Sequence, residues 1–180
     1  MPPTIAIIGA GPLGRWLAMA AARAGCRVLL EDVMPMNLRH AREALRLQLG
    51  PKSLPAVTFV DTIEDAVRDA DLVIDCVPDE LESKLEIFCL LDRMAPPRTV
   101  LATPTTRLSI ADLASCTYRA EKCVAIISEA SELTAQPTED LAAPALRIQV
   151  TRHTTLETVR IVEEFWQSLG FQTIFEADPA

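Results

Sequence analysis

The run Ile5-Ala6-Ile7-Ile8-Gly9-Ala10-Gly11-Pro12-Leu13-Gly14 carries an apolar strand directly into Gly-x-Gly-x-x-Gly, and Glu31-Asp32 closes the next apolar run. A strand, a tight turn, a helix and a second strand satisfy this pattern. Gly9 allows the turn out of the strand, Gly11 lets the backbone approach a pyrophosphate, and Gly14 lets helix and strand pack closely. The helix N-terminus, with its free N–H groups, then faces the phosphates. A carboxylate about 18 residues past the third glycine falls where the ribose hydroxyls of an adenosine would lie. The pattern therefore predicts a dinucleotide site in which Gly9, Gly11, Pro12, Leu13 and Gly14 surround the phosphates and Asp32 accepts from the ribose.

Downstream, apolar runs of strand length alternate with helix-period segments, the pattern of a parallel sheet covered by helices. Strands are expected at 27–31, 57–60, 72–77, 99–103, 123–127, 146–150 and 171–175. Helices are expected at 12–24, 35–49, 62–70 and 81–94, in a short segment from 109, and in one running to 169. Gly25 and Gly170 are natural C-terminal caps, Gly50-Pro51 closes the second helix, and Thr154-x-x-Glu157 reads as a capping box. Residues 128–144 are polar and acidic without firm periodicity, an inserted loop with room for a helical turn. The expected fold is a single α/β domain of Rossmann type: a doubly wound, mostly parallel sheet with helices on both faces.

A net charge of −8 and a pI near 4.8 exclude the basic patches that nucleic acid or an anionic membrane would require. Small molecules and proteins are the expected partners. Cys26, Cys76, Cys89, Cys116 and Cys123 are odd in number, form no Cys-x-x-Cys pair and lie mostly in apolar runs, so they read as reduced core residues. No basic-then-apolar leader precedes the first strand and no apolar run is long enough to span a bilayer, so a cytoplasmic location is expected.

The opening motif, Asp32, the stretch from Asp69-Ala70-Asp71-Leu72-Val73 to Ser83-Lys84, and the stretch from Leu91-Asp92-Arg93-Met94 to Thr99 resemble the NAD-binding domain of the 3-hydroxyacyl-CoA dehydrogenases. So does Leu101-Ala102-Thr103-Pro104-Thr105-Thr106-Arg107-Leu108-Ser109-Ile110. The resemblance implies NAD as cofactor and oxidation of a 3-hydroxyacyl-CoA to the 3-oxoacyl-CoA. It also implies that Asp79 and Lys84 help to hold the nicotinamide side, although from residue type alone this pair reads equally as a solvated helix N-terminus whose acid complements the dipole. Thr106 falls where the family has a serine that hydrogen-bonds substrate, while Pro104 replaces an asparagine and Arg107 a second serine.

In that family a histidine after the sixth strand is the general base, held by a glutamate in the next strand region. Ile127 falls at the histidine position, and Gln149, or Arg147 under another gap placement, falls at the glutamate position. His40 and His153 do not match, and His153 beside Arg152 reads as part of a surface turn. Glu129, Glu132, Glu139 and Asp140 are candidate carboxylate bases, weighed against the ordinary solvation of such a charge run. The family's helical second domain would begin near the last residues here, leaving the cleft with one wall. Three readings stay open: a 3-hydroxyacyl-CoA dehydrogenase, weakly active or inactive as an isolated chain; a non-catalytic NAD(H)-binding sensor or scaffold; and a reductase of another small oxo or hydroxy acid. An apolar face left for a partner predicts a homodimer or a helical partner domain.

Overall fold

The computed structural model describes residues 1–49, 54–134 and 144–179. Eight strands form one sheet in the order β3-β2-β1-β4-β5-β6-β7-β8: β1 Thr4–Ile8, β2 Arg27–Glu31, β3 Val57–Val60, β4 Leu72–Asp75, β5 Val100–Thr105, β6 Cys123–Ile127, β7 Ala145–Val150 and β8 Gln172–Ala177. The first six run parallel; β7 is antiparallel to β6 and β8 is parallel to β7. The helices are α1 Pro12–Arg23, α2 Pro35–Gln48, α3 Ile63–Val67, α4 Leu81–Met94, α5 Ile110–Ala114, α6 Ala130–Thr134 and α7 Leu156–Ser168. This is the expected doubly wound, mostly parallel α/β domain.

β1 and β4 are buried at every position because helices cover both faces of the sheet. Ile5 and Ile7 enter one apolar layer with Leu17 of α1, Leu45 of α2 and Trp166 of α7. Ala6 and Ile8 enter the other with Val67 of α3, Phe88 of α4 and Leu113 of α5. Trp166 meets Phe171 edge-on at 5.6 Å between ring centres, and Phe171 meets Trp16 at 6.1 Å, which fastens α7 and the start of β8 to α1.

Several boundaries differ from expectation for local reasons. α3 is shorter than 62–70, because the Asp71 N–H already donates to the Thr4 carbonyl and draws the chain into the sheet beside β1. Its cap is nonetheless Thr62, whose Oγ1 accepts from the Asp65 N–H. β4 stops at Asp75 instead of residue 77, since Asp75 Oδ1 captures the Val77 N–H and turns the chain away. The cap of α7 is Thr155, not Thr154: Thr155 Oγ1 accepts from the Thr158 N–H, while Thr154 Oγ1 accepts from the Thr151 N–H and Glu157 faces Lys122. β8 runs to residue 177, where Asp178 Oδ2 accepts from the Ser109 hydroxyl and the Ala111 N–H and pins the strand to α5. Within the expected loop, Ala130–Thr134 is helical; residues 135–143, and the Gly50-Pro51 stop, lie outside the described residues.

One buried cation positions β6 against α4. Arg119 Nε donates to Asp92 Oδ1 at 2.8 Å, and its other nitrogens donate to the carbonyls of Asp92, Ala95 and Pro96 where α4 ends. Arg119→Met removes all four bonds while leaving Asp92 buried. It should cost about 3 kcal/mol and lower Tm by roughly 6–12 °C. A thermal melt within about 2 °C of wild type would contradict this role.

Candidate functional site

The strand order reverses across β1, which lies between β2 and β4, so a crevice opens beyond the carboxyl ends of these strands. Its floor is the glycine turn. Gly9 has φ +104°, donates to the Glu31 carbonyl at 2.8 Å, and would press a Cβ onto the Cys76 carbonyl. A Cβ on Gly14 would fall on the Gly9 carbonyl oxygen, so α1 can lie this close to β1 only without a side chain there. α1 starts with Pro12 at its first position, has no side-chain cap and no acid in its first turn. The N–H groups of Leu13 and Gly14 therefore face outward without an intrahelical partner. Gly11 differs from its neighbours: its φ of −66° suits any residue, and a Cβ there would meet nothing within 4 Å. The fold does not require glycine at 11. A ligand brought against this backbone would require it, and the turn thereby fits a pyrophosphate.

On one side of the turn is a cavity of about 480 Å³, lined by Gly9, Gly11, Glu31, Asp32, Val33, Asn37, Ile63, Cys76 and Ile87 among others. Asp32 is buried and well held. Its Oδ2 accepts from the Ala10 N–H at 2.8 Å and from Asn37 Nδ2 at 3.0 Å, and its Oδ1 accepts from the Met34 N–H at 2.8 Å. Three of about four acceptor positions are thus used, and one remains for a ribose hydroxyl. Asn37, which orients this carboxylate from the first turn of α2, was not legible as a site residue; its only signal is an amide five positions beyond the acid.

Cys76, Val77 and Pro78 are shared with a second cavity of about 530 Å³, which continues past Leu13 to Asp79, Pro104, Thr105, Thr106, Arg107, Ser128 and Glu129. Asp79 Oδ2 accepts from the Thr106 N–H at 2.9 Å and from its hydroxyl at 3.1 Å. Partial burial opposes the charge on Asp79. Contacts from Thr105 and Thr106, with the Lys84 ammonium nearby, outweigh it and hold the carboxyl below the usual carboxylate range. Burial and the neighbouring Asp75 push the Cys76 thiol up, so it is not a thiolate nucleophile.

Lys84 does not line either cavity, nor is it solvated. It is completely buried, and its ammonium donates to Asp75 Oδ2 at 3.0 Å, Thr103 Oγ1 at 2.8 Å and the Val77 carbonyl at 3.3 Å. The Thr103 hydroxyl in turn donates to Asp75 Oδ2 at 2.9 Å. Burial pushes the Asp75 carboxyl up, against the pull of Lys84 and of the Val77 and Thr103 hydrogen bonds. This network binds β4, α4 and β5 beneath the second cavity. Asp75, an acid inside an apolar strand, was its visible signal in the sequence.

Ile127, which the resemblance sets at the histidine position, ends β6 with its side chain against the apolar layer of α4 and α5. Directly opposite it on β7 is Arg147, whose Nη2 donates to Glu176 Oε1 at 2.7 Å. Gln149 stands opposite Ala125, its Oε1 accepting from the Ile110 N–H at 3.3 Å. His40 is exposed on α2. His153 is exposed in the turn before α7, where its Nε2 accepts from Arg152 Nε. Glu129 lines the second cavity, and Glu132 Oε2 accepts from the Ser128 hydroxyl at 2.9 Å and the Glu129 N–H at 3.1 Å, capping the start of α6. Glu139 and Asp140 lie outside the described residues.

The family described as 3-hydroxyacyl-CoA dehydrogenase, NAD binding domain, matches residues 4–127. A probable 3-hydroxybutyryl-CoA dehydrogenase of Bacillus subtilis is 32% identical over 133 residues, covering 67% of this chain and 46% of that protein. An L-carnitine dehydrogenase of Burkholderia mallei is 37% identical over 131 residues, covering 67% of this chain and 40% of that protein. The chain thus spans less than half the length of these relatives. Among solved structures, a 3-hydroxyacyl-CoA dehydrogenase from Archaeoglobus fulgidus superposes with a TM-score of 0.80 at 26% identity, covering 99% of this chain and 57% of that one. A doubly wound sheet, a glycine turn with an open face at Gly11 and a family match that covers this turn and strands β1 to β6 lead to one conclusion: the chain belongs to the 3-hydroxyacyl-CoA dehydrogenase family, in its NAD-binding domain.

Proposed function

We propose that this chain binds NAD(H) across the two cavities and by itself is a very poor 3-hydroxyacyl-CoA dehydrogenase. The observation that carries the binding is Gly11, where an added Cβ would meet nothing within 4 Å among the described residues. The adenosine would occupy the cavity with Asp32, and the pyrophosphate would lie over the Leu13 and Gly14 N–H groups. The nicotinamide would occupy the cavity with Asp79 and Thr106. When bound, it supplies the hydride acceptor or donor of the reaction. What the chain must add is a proton acceptor for the substrate hydroxyl, and Ile127 has none. Asp79, held below the usual carboxylate range and already bonded to Thr106, is a weak base. A positioned base contributes ~10²–10⁴-fold, so binding and turnover are expected to separate.

A second reading, reduction of a small oxo acid, is favoured by Arg107. Its exposed guanidinium stands at the mouth of the second cavity without an ion pair among the described residues, and suits a substrate carboxylate. Following NADH oxidation at high protein concentration decides between the two. With acetoacetyl-CoA, turnover should be near background; turnover of small oxo acids that falls on Arg107→Ala would favour the second reading. Robust acetoacetyl-CoA turnover, unchanged in Thr106→Ala, would overturn the view that the base is missing.

The binding reading has its own tests. Asp32 accepts from ribose hydroxyls and repels a 2′-phosphate, so NADH should bind more tightly than NADPH, and Asp32→Ala should narrow that gap. Equal or reversed affinities in a titration of both cofactors would sink the assignment. Gly11→Ala should melt within about 2 °C of wild type yet bind NADH at least tenfold more weakly, whereas Gly14→Ala should fold poorly or not at all. Unchanged NADH affinity in Gly11→Ala would remove the pyrophosphate from this turn.

A further inference from the structure

Glu31 ends β2 one residue before Asp32; the residue is only 4% exposed and lines the first cavity. Asp32 receives three hydrogen bonds. Among the described residues none is donated to the Glu31 carboxyl, which faces two other acids, Asp32 at the end of its own strand and Asp61 before α3. The remaining elements around the cavity present to it Ile8 and Gly9 from β1, Ile63 from α3, Ile87 from α4, Asn37 from α2 and the Cys76 thiol after β4. A carboxylate buried among apolar groups and like charges, with no donor, is disfavoured as an anion. Burial, then Asp32 and Asp61, accordingly push this group up to about 7.

We propose that Glu31 is a second recognition group for the adenosine half of the cofactor, donating its carboxyl hydrogen to an acceptor of the nucleoside while Asp32 accepts. This rests on the NAD(H)-binding reading of the cleft. A neutral acid can offer both a donor and an acceptor, and a purine edge and a ribose carry both. Filling the cavity removes what water Glu31 still touches, which makes the anion costlier and the proton harder to lose. The complex therefore keeps, or takes up, one proton at Glu31. Asp32 sets the preference against a 2′-phosphate, and Glu31 makes affinity depend on pH.

Calorimetric titration of the whole chain with NADH at pH 6, 7 and 8 tests this. The dissociation constant should rise by about tenfold from pH 6 to pH 8, as the competent protonated fraction falls. At pH 7.5, heats measured in phosphate and in Tris should differ by the buffer's ionisation heat, which reports proton uptake. Glu31→Gln, which keeps a donor and an acceptor but cannot ionise, should bind with no pH slope and no proton uptake. Glu31→Leu should bind more weakly at every pH. A melting series checks the ionisation without ligand. Stability from a raised carboxyl is present below its unfolded value and lost as pH rises through about 7, so Glu31→Gln should gain roughly 5–10 °C on wild type between pH 5 and pH 8. A flat wild-type profile without proton uptake, or a wild-type slope retained in Glu31→Gln, would overturn the proposal while leaving NADH binding intact. No NADH binding at any pH would overturn the cofactor reading itself, and this inference with it.

Discussion

The contact between the start of α1 and the end of β1 governs the rest of the cleft. With no side chain at Gly14, the helix backbone comes down onto the Gly9 carbonyl, and the turn at φ +104° carries the chain from sheet to helix without a loop. That closeness aims the unpaired N–H groups of the helix N-terminus at the crevice. It also brings the Ala10 N–H within reach of Asp32. One steric fact thus ties three strands' ends together, because the Gly9 N–H also holds the carbonyl of Glu31 and the Cys76 N–H holds that of Ile8. A larger residue at 14 would displace the helix and, with it, every donor of the turn.

The second half of the cleft depends on charge buried beneath it. Lys84 and Asp75 are both wholly inside the protein, and such a pair survives only when hydrogen bonds take up what the ion pair leaves over. Here Thr103, the Val77 N–H and the Val77 carbonyl do so. The network costs desolvation and offers little net stability, but it sets where β4 ends and at what angle α4 leaves the sheet. Asp79 and Thr106, which face the cavity above it, are placed by that geometry. Buried polarity thus shapes the floor of the second cavity, whereas Ile127 at the end of β6 packs its side chain against the apolar layer.

The two carboxylates at the end of β2 show how position along a strand separates roles. Asp32 has left the sheet and accepts from backbone donors in two loops. Glu31 is still in the strand, paired with Ile8 and Val60, and among the described residues its carboxyl meets two other acids and no donor. Neighbours in sequence, they stand in opposite electrostatic environments.

Much of this was legible in the residues alone. The order of strands and helices, the glycine turn and the acid after β2 follow from period, turn chemistry and spacing, which are local and act over a few residues. That Ile127 cannot act as a base was legible as well, since an aliphatic side chain cannot take a proton in any fold. Tertiary structure decided the rest, because it depends on which distant groups meet. Lys84 reads as a solvated helix residue until β5 brings Thr103 and β4 brings Asp75 to it. Thr154 and Thr155 are interchangeable as caps until Thr151 claims one of them. Arg147, one of two residues aligned with the family's glutamate position, is taken by Glu176, 29 residues on in the neighbouring strand. Sequence determined the fold and the glycine turn at its crevice; only packing decided which charges are buried and which are paired, because desolvation and hydrogen-bond satisfaction are properties of the assembled interior.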